Sequence, residues 1–205
     1  MNANNSLTRF TTRLAGAALI SLGLLASSFT APALAEIAPG DGVNVVAPSQ
    51  EDVASVQNFG FKRGTLVDYA SARPAGSIII VSKTNRLYYV LGNGKAVMFR
   101  VATARKGFGW SGTHKVSMKT QWPEWRPPVE MRKRHPELPV YMKGGVKNPL
   151  GARAMYLGAS IYRIHGTNEP SSIGKSASSG CIRMLNADVT ELYKHVKVGT
   201  TVVVM

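Results

Sequence analysis

The chain contains a single cysteine, Cys181, and one of its four histidines, His165, lies a short distance upstream of it. A thiol with a pKa of about 8.5 is mostly protonated at neutral pH, so a nucleophilic cysteine needs an imidazole or a positive neighbour that favours the thiolate. His165 is the histidine best placed for that role, and Arg183 could add positive field. The main alternative is that Cys181 is a small buried hydrophobe, as many free cysteines are. In its sequence context, we interpret the pair as an acyl-transfer site.

A glycine stands directly before the cysteine. Gly180 has no side chain at the point where a substrate carbonyl would approach the backbone. Its N–H and that of Cys181 could point at one oxyanion and stabilise the charge that develops during acyl transfer.

Two elements must bring the cysteine and the histidine together. Residues 161–165 alternate between the two faces of an extended chain, which predicts a strand that ends at His165 and forms a hairpin with residues 153–157. Residues 166–180 are rich in Gly, Ser, Asn and Pro, so they are predicted to be a loop. After the cysteine, Asn186 is predicted to cap a helix. The apolar stripe of this helix consists of Val189, Leu192, Tyr193 and Val196.

The chain from residue 76 onwards is predicted to be mainly β, with one or two helices. Gly92-Asn93-Gly94 predicts a tight hairpin, because Asn-Gly favours a type I′ turn. The charged residues 130–141 are predicted to form a surface excursion or a flap beside a cleft. We expect about seven strands in all. Apart from the hairpin that leads to the histidine, the predicted strands are 77–81, 86–91, 95–104 and 200–204.

Two spaced blocks of sequence carry a family resemblance. I-H-G-T-N-x-P-x-S-I-G begins at Ile164, and S-S-G-C-I-R-M-x-N-x-D begins at Ser178. In this order and at this distance they resemble the active-site signature of the L,D-transpeptidase catalytic domain, whose members are cysteine enzymes that remodel bacterial peptidoglycan. Segments at 122–128 and 144–154 resemble those that precede the histidine block in many members. The resemblance covers the chain from residue 76 onwards and implies a two-sheet, β-sandwich-like fold with the site in a cleft at one end.

The resemblance implies a role for each matching residue. Cys181 would be the nucleophile and His165 the proton acceptor and donor. The thiolate would attack the carbonyl at the L-centre of a stem-peptide diamino acid, expel D-alanine and hold the donor as a thioester, which a second amine would take. Many members have histidine two residues before the cysteine, and the serine found here leaves His165 as the base. Oxyanion or loop support is assigned to Gly166, Ser179 and Gly180, and substrate binding to Thr167, Asn168, Arg183 and Trp125.

Several of these roles have open alternatives. Ser179 either donates its hydroxyl to the oxyanion or fastens the loop, and fastening is favoured because serines in turns usually bond to the backbone. Arg183 either binds a substrate carboxylate or forms a structural salt bridge. Trp125 either walls the cleft or covers a sheet. Thr167 and Asn168 are also expected to fix the loop.

The function implied by the resemblance is a peptidoglycan L,D-transpeptidase that forms cross-links or attaches a protein to the wall, with no cofactor and no metal. Its partners would be peptidoglycan stem peptides, and an outer-membrane protein is one candidate acyl acceptor. Two other functions stay open. Hydrolysis of the same thioester would make the enzyme an L,D-carboxypeptidase. A non-catalytic cell-wall-binding module would keep the basic charge and the aromatic residues without a reactive thiol.

The N-terminus has the pattern of a secretory signal peptide. A polar segment with two arginines is followed by an apolar run and by the small-x-small cleavage site Ala33-Leu34-Ala35. We therefore predict that residues 1–35 are a signal peptide, that residues 36–75 are an N-terminal arm or spacer, and that residues 76–205 are the catalytic domain. The predicted location is the periplasm.

The chain is strongly basic. Its formal net charge of +14 falls to +12 without the signal peptide, which carries two arginines and no acids (14 − 2). We interpret this positive charge as a feature that attracts the protein to the anionic cell envelope. The alternative is a basic surface that serves only solubility. No nucleic-acid partner is expected, because an exported protein does not normally meet nucleic acid. We expect a monomer whose unpaired thiol is reactive.

Overall fold

The computed structural model describes residues 56–205, so the predicted signal peptide and residues 36–55 of the predicted arm lie outside the described part. Within this part, the strands are β1 (Thr65–Asp68), β2 (Ile78–Val81), β3 (Arg86–Gly92), β4 (Lys95–Arg100), β5 (Thr103–Ala104), β6 (Gly112–Gln121), β7 (Arg153–Leu157), β8 (Arg163–His165), β9 (Ser176–Ser178), β10 (Ile182–Arg183) and β11 (Thr201–Val204). The α-helices are α1 (Val129–Arg134) and α2 (Asn186–His195). The predicted mainly β, two-sheet fold with one or two helices is confirmed.

Nine strands form one sheet in the order β1-β4-β3-β2-β11-β6-β7-β8-β10, and β5 pairs with β9 in a second, two-stranded sheet. Residues 112–115 of β6 pair with β11, and the remainder of this long strand pairs with β7. Strand β6 therefore joins the two halves of the large sheet. Helix α2 buries Val189 and Leu192 in the core that both halves share.

The turn between β3 and β4 has the predicted form. Asn93 and Gly94 have φ values of 50° and 70°. A type I′ turn requires positive φ at both central residues, and Asn-Gly supplies them at low cost. Gly92 pairs with Lys95 across the turn, so the local sequence was sufficient to predict this connection.

Residues 56–75, the described part of the predicted arm, pack on the domain. Strand β1 pairs antiparallel with β4, and Phe61 lies in the core with 1% of its surface exposed. The Phe61 ring stacks on that of His195 with the ring centroids 3.6 Å apart, and Arg63 forms an ion pair with Asp188 of α2. The sequence did not indicate this packing, because isolated apolar anchors and one short strand have no clear hydrophobic period.

The two helices differ from expectation in their details. The segment predicted as a charged excursion contains α1, none of whose residues is buried, so no apolar stripe could indicate a helix. In α2 the N-cap position is Leu185, and Asn186 is the first helical residue. No helix between residues 56 and 205 combines the length and the hydrophobicity that a membrane crossing requires.

Candidate active site

Cys181 and His165 meet at the edge where β8 runs parallel to β10. The register pairs Ile164 with Ile182 and His165 with Arg183. Because alternate residues of a strand face the same side, Cys181, directly before β10, faces the same side of the sheet as His165. A register shift of one residue would turn the two side chains to opposite sides. Both side chains line one cavity of about 300 Å³.

His165 is buried, with 4% of its surface exposed. Its Nδ1 lies 2.6 Å from the carbonyl oxygen of Gly166. Since a carbonyl oxygen can only accept a hydrogen bond, Nδ1 carries the proton and Nε2 keeps its lone pair. Burial lowers the pKa of His165 to about 3, although the Gly166 hydrogen bond acts in the opposite direction. The imidazole is therefore neutral at physiological pH and can accept a proton at Nε2.

Cys181 is partly exposed and lines the same cavity. Burial of the sulfur raises the pKa of the thiol, whereas the neighbouring Arg163 and the charge of Arg183 act in the opposite direction. Because burial dominates, the thiol is protonated at neutral pH. A nucleophilic attack by Cys181 therefore requires transfer of its proton to a base, and His165 offers a neutral one.

Gly180 is held at both ends of its backbone. Its carbonyl oxygen accepts a hydrogen bond from Trp110 Nε1 at 2.7 Å, and its N–H donates to Ser178 Oγ at 3.1 Å. Its φ is +116°, and a Cβ there would lie 2.5 Å from the Tyr162 ring, so only glycine fits. The predicted oxyanion role of the Gly180 N–H is not supported, because that N–H is already bonded. The Cys181 N–H makes no hydrogen bond within residues 56–205 and is free for such a role.

Trp110 was not predicted as a site residue, yet it connects the cysteine loop to the cavity wall. Its indole stacks on the Tyr162 ring, with centroids 4.2 Å apart and planes 5° from parallel. Together with the hydrogen bond to Gly180, this stack fixes the backbone directly before Cys181. The surrounding glycine-rich residues 107–112 indicate only a loop, so the one available signal was an unexplained tryptophan within it.

Thr167 and Asn168 fix loops and lie outside the cavity lining. Thr167 is 2% exposed, and its Oγ1 accepts a hydrogen bond from the Glu169 N–H at 2.9 Å. Asn168 Nδ2 donates to the Lys147 carbonyl oxygen at 3.0 Å. These contacts agree with the loop-fixing expectation, and substrate binding finds no support because neither residue lines the cavity.

Asn186 ties together the loops beside His165. Its Oδ1 accepts hydrogen bonds from the N–H groups of Ala152 and Thr167 at 2.9 and 3.2 Å, and its Nδ2 donates to the Thr167 carbonyl oxygen at 2.9 Å. A Cβ on Gly166 would collide with Asn186 Oδ1. Gly166 therefore supports the site in two ways, through the close approach that glycine permits and through its carbonyl oxygen, which orients the imidazole.

The walls of the cavity come from segments that are far apart in sequence. Trp125 and Ser179 line it, and α1 contributes Met131 and Arg134, so the predicted flap segment does border the cleft. The serine that fastens the loop is Ser178, next to the predicted Ser179. The other lining residues are Arg105, Pro128, His135, Leu138, Pro149, Leu150, Ile161, Tyr162 and Arg163.

Arg183 lines the cavity and forms an ion pair at the same time. Its guanidinium lies 2.9 Å from Glu169 Oε2. The structural salt bridge predicted as one alternative is therefore present, while the side chain still borders the space beside Cys181.

No second cluster of this kind occurs among the described residues. His114 and His195 do not line the cavity, and His135 lines it but is exposed, 3.2 Å from Glu137. Between residues 56 and 205, no three histidine, cysteine or acidic side chains come together in a way that could hold a metal ion.

The chain is similar in sequence to known proteins of one family. A sequence profile of the L,D-transpeptidase catalytic domain matches residues 76–204. The probable L,D-transpeptidase YbiS of Escherichia coli is 35% identical over 134 residues, which cover 61% of this chain and 43% of YbiS. The putative L,D-transpeptidase YqjB of Bacillus subtilis is 36% identical over 138 residues, which cover 64% of this chain and 72% of YqjB. The chain thus spans less than half the length of YbiS.

Solved structures share the fold. The catalytic domain of the Enterococcus faecium L,D-transpeptidase aligns with a TM-score of 0.51 and 16% identity over 66% of this chain and 100% of that domain. An L,D-transpeptidase from Mycobacterium smegmatis aligns with a TM-score of 0.51 and 15% identity over 62% of this chain and 57% of that one. At this level of identity the likeness concerns the fold alone.

Proposed function

We propose that this chain, which belongs to the L,D-transpeptidase catalytic domain family, is a peptidoglycan L,D-transpeptidase that transfers an acyl group through Cys181. The observation that carries this proposal is the placement of a protonated thiol and a buried neutral imidazole on the same side of two paired strands, at one cavity. A thiol and a neutral base are the two groups that covalent acyl transfer requires.

The first half-reaction would form a thioester. The Cys181 sulfur attacks the carbonyl carbon at the L-centre of the diamino acid in a tetrapeptide stem, while the thiol proton moves to Nε2 of His165. The Cys181 N–H stabilises the oxyanion of the tetrahedral intermediate. When the C–N bond breaks, His165 returns its proton to the departing nitrogen, and D-alanine leaves as a neutral amine.

The second half-reaction would release the acyl group. An acceptor amine attacks the thioester carbonyl, and His165 takes a proton from the attacking nitrogen. The C–S bond then breaks and the sulfur is reprotonated, which restores the starting state. Water in place of the amine would give the carboxypeptidase reaction with the same residues.

The proposed setting is the periplasm, where the enzyme would meet stem peptides after the signal peptide is removed. The net charge of +12 for residues 36–205 supports attraction to the anionic envelope. The acceptor amine would belong to a second stem or to an outer-membrane protein.

Incubation of the purified protein with a disaccharide tetrapeptide, followed by mass spectrometry, tests the proposal. We expect a cross-linked dimer that has lost one D-alanine, and the matched tripeptide alone gives none because it lacks the bond that is cleaved. Tripeptide as the only product would establish hydrolysis instead. Unchanged substrate would contradict the proposed function.

We expect Trp110→Phe to lower kcat about tenfold with little change in KM, since a small displacement of a reacting group is costly. Phenylalanine keeps an aromatic ring on Tyr162 but loses the donor to the Gly180 carbonyl oxygen, which loosens the backbone before Cys181. Steady-state kinetics and thermal unfolding check this. Trp122→Phe is the matched control, because Trp122 is 45% exposed and lies outside the cavity lining. Equal kcat values for wild type and Trp110→Phe would contradict the positioning role.

A further inference from the structure

The cavity beside Cys181 carries a concentrated positive charge. Four arginines line it, and no aspartate or glutamate of the described residues does; the arginines are Arg105, Arg134, Arg163 and Arg183. A cleft lined by charges of one sign focuses the field and concentrates ligands of the opposite sign. The lining therefore favours a substrate that brings several negative charges.

Most of this charge is not neutralised by the protein itself. Within residues 56–205, Arg183 is the one lining arginine that forms an ion pair, with Glu169. The guanidinium of Arg163 lies 5.1 Å from the centre of the Tyr156 ring, and its Nε is buried without a hydrogen-bond partner in the same part of the chain. Because a buried donor without a partner is costly, the protein itself leaves this guanidinium incompletely satisfied.

Two of the arginines are brought together by a single aromatic ring. The guanidinium carbon of Arg105 lies 4.3 Å from the centre of the Phe108 ring, and that of Arg134 lies 5.3 Å from it. Arg105 follows β5 and Arg134 ends α1, so the fold assembles this pair from distant segments. A guanidinium that packs on an aromatic ring keeps the N–H groups at its edge free to bind a carboxylate.

We propose that the cavity selects donor stems whose glutamyl and diamino-acid carboxyl groups are free, over stems in which they are amidated, and that Arg105 and Arg134 bind one of these carboxylates. This inference rests on the proposed function. Every tetrapeptide donor supplies the carboxylate of its terminal D-alanine, but one carboxylate does not match the three lining guanidiniums that form no ion pair within residues 56–205. Amidation removes a negative charge and points N–H donors at guanidinium donors, which is a repulsive arrangement.

The test compares two disaccharide tetrapeptides that are identical except for amidation of those two carboxyl groups. For the wild-type protein we expect kcat/KM to be about tenfold or more higher for the free-acid donor, from the strength of hydrogen bonds to charged groups. In the double variant Arg105→Gln, Arg134→Gln the preference should fall severalfold, mainly through a higher KM for the free-acid donor. Lys133→Gln is the control, because it removes one positive charge from α1 outside the cavity lining, and it should keep the wild-type preference.

Affinity gives a second measurement that does not depend on turnover. Calorimetric titration of both donors into the Cys181→Ala protein should show the same preference as a ratio of Kd values. Equal Kd values, or tighter binding of the amidated donor, would overturn the inference even if both donors are cross-linked. Absence of products from both donors, with the free-acid preference still present in Kd, would count against the proposed function and leave the selection of free carboxylates supported.

Discussion

Cys181→Ala is expected to abolish product formation while the protein stays folded. The chain has no other cysteine that could replace the thiol, and without a nucleophile the thioester cannot form. We expect a loss of at least about 10³-fold in kcat, by comparison with the removal of nucleophiles from other acyl-transfer enzymes. The measurement is release of D-alanine and of cross-linked product from the disaccharide tetrapeptide, beside wild-type protein from the same purification.

Two controls separate loss of chemistry from loss of structure. Thermal unfolding of Cys181→Ala should differ from wild type by no more than about 1 kcal/mol in free energy of unfolding, because the side chain is small and partly exposed. Iodoacetamide treatment of wild-type protein should add one carbamidomethyl group and remove activity in proportion to labelling. A fully labelled protein that still makes product would refute the role of the thiol.

His165→Asn is expected to lower kcat by roughly 10² to 10⁴-fold, the range for loss of a general base. The asparagine amide can still donate to the Gly166 carbonyl oxygen, as Nδ1 does at 2.6 Å, but it offers no basic nitrogen in place of Nε2. Because burial raises the pKa of the Cys181 thiol, the thiol would then stay protonated, and the base that accepts its proton would be missing. Steady-state kinetics at neutral pH measure the effect. His135→Asn is the matched control, because His135 also lines the cavity but is exposed, and it should retain most of the activity.

The burial of His165 also predicts how the stability of the protein changes in acid. Burial lowers the pKa of His165 to about 3, whereas an unfolded histidine has a pKa of about 6.5. Between these values the unfolded chain binds more protons at this position than the folded chain, so the free energy of unfolding rises with pH across this window and is lost as the pH falls through it. The contribution is at most about 1.4 kcal/mol per pH unit.

Urea unfolding of wild type and His165→Asn, at neutral pH and at about pH 4.5, isolates this contribution. Carboxyl groups titrate in both proteins, so the informative quantity is the difference between their losses of stability. Wild type should lose more stability than the variant on acidification. Equal losses would show that His165 is less buried, or its pKa less depressed, than the structure indicates.

Local sequence signals predicted those parts of the fold that depend on neighbours in the chain. The Asn93-Gly94 turn, the apolar stripe of α2 and the strand that ends at His165 were all indicated by residues at most a few positions apart. The two- and three-residue strands β5, β9 and β10 are too short to show a period, and α1 buries no residue. These elements could be found only from the contacts they make.

The residues of the candidate site also fall into those that the sequence indicated and those that it did not. The two sequence blocks indicated the family, which is confirmed, and they supplied Cys181 and His165, whose catalytic roles stay predictions until the variants are measured. Trp110, Arg105 and Arg134 lie outside both blocks, so nothing in the signature pointed to them. The hydrogen bond from the Gly180 N–H to Ser178 Oγ depends on how the loop turns, so the sequence could not show that this N–H is already bonded.

The sequence by itself determined the mainly β class of the fold and the family, and it singled out Cys181 and His165 as the pair to test. The β class follows from residue types and from spacings of a few positions, which set backbone preferences and amphipathic periods directly, whereas the family and the pair follow from the resemblance of the two blocks to its signature. Only the tertiary structure decided which nitrogen of His165 is free, which backbone N–H is available beside Cys181, and how four arginines surround one cavity. Each of these depends on burial and on hydrogen bonds between segments far apart in the chain, and no local sequence pattern encodes such contacts.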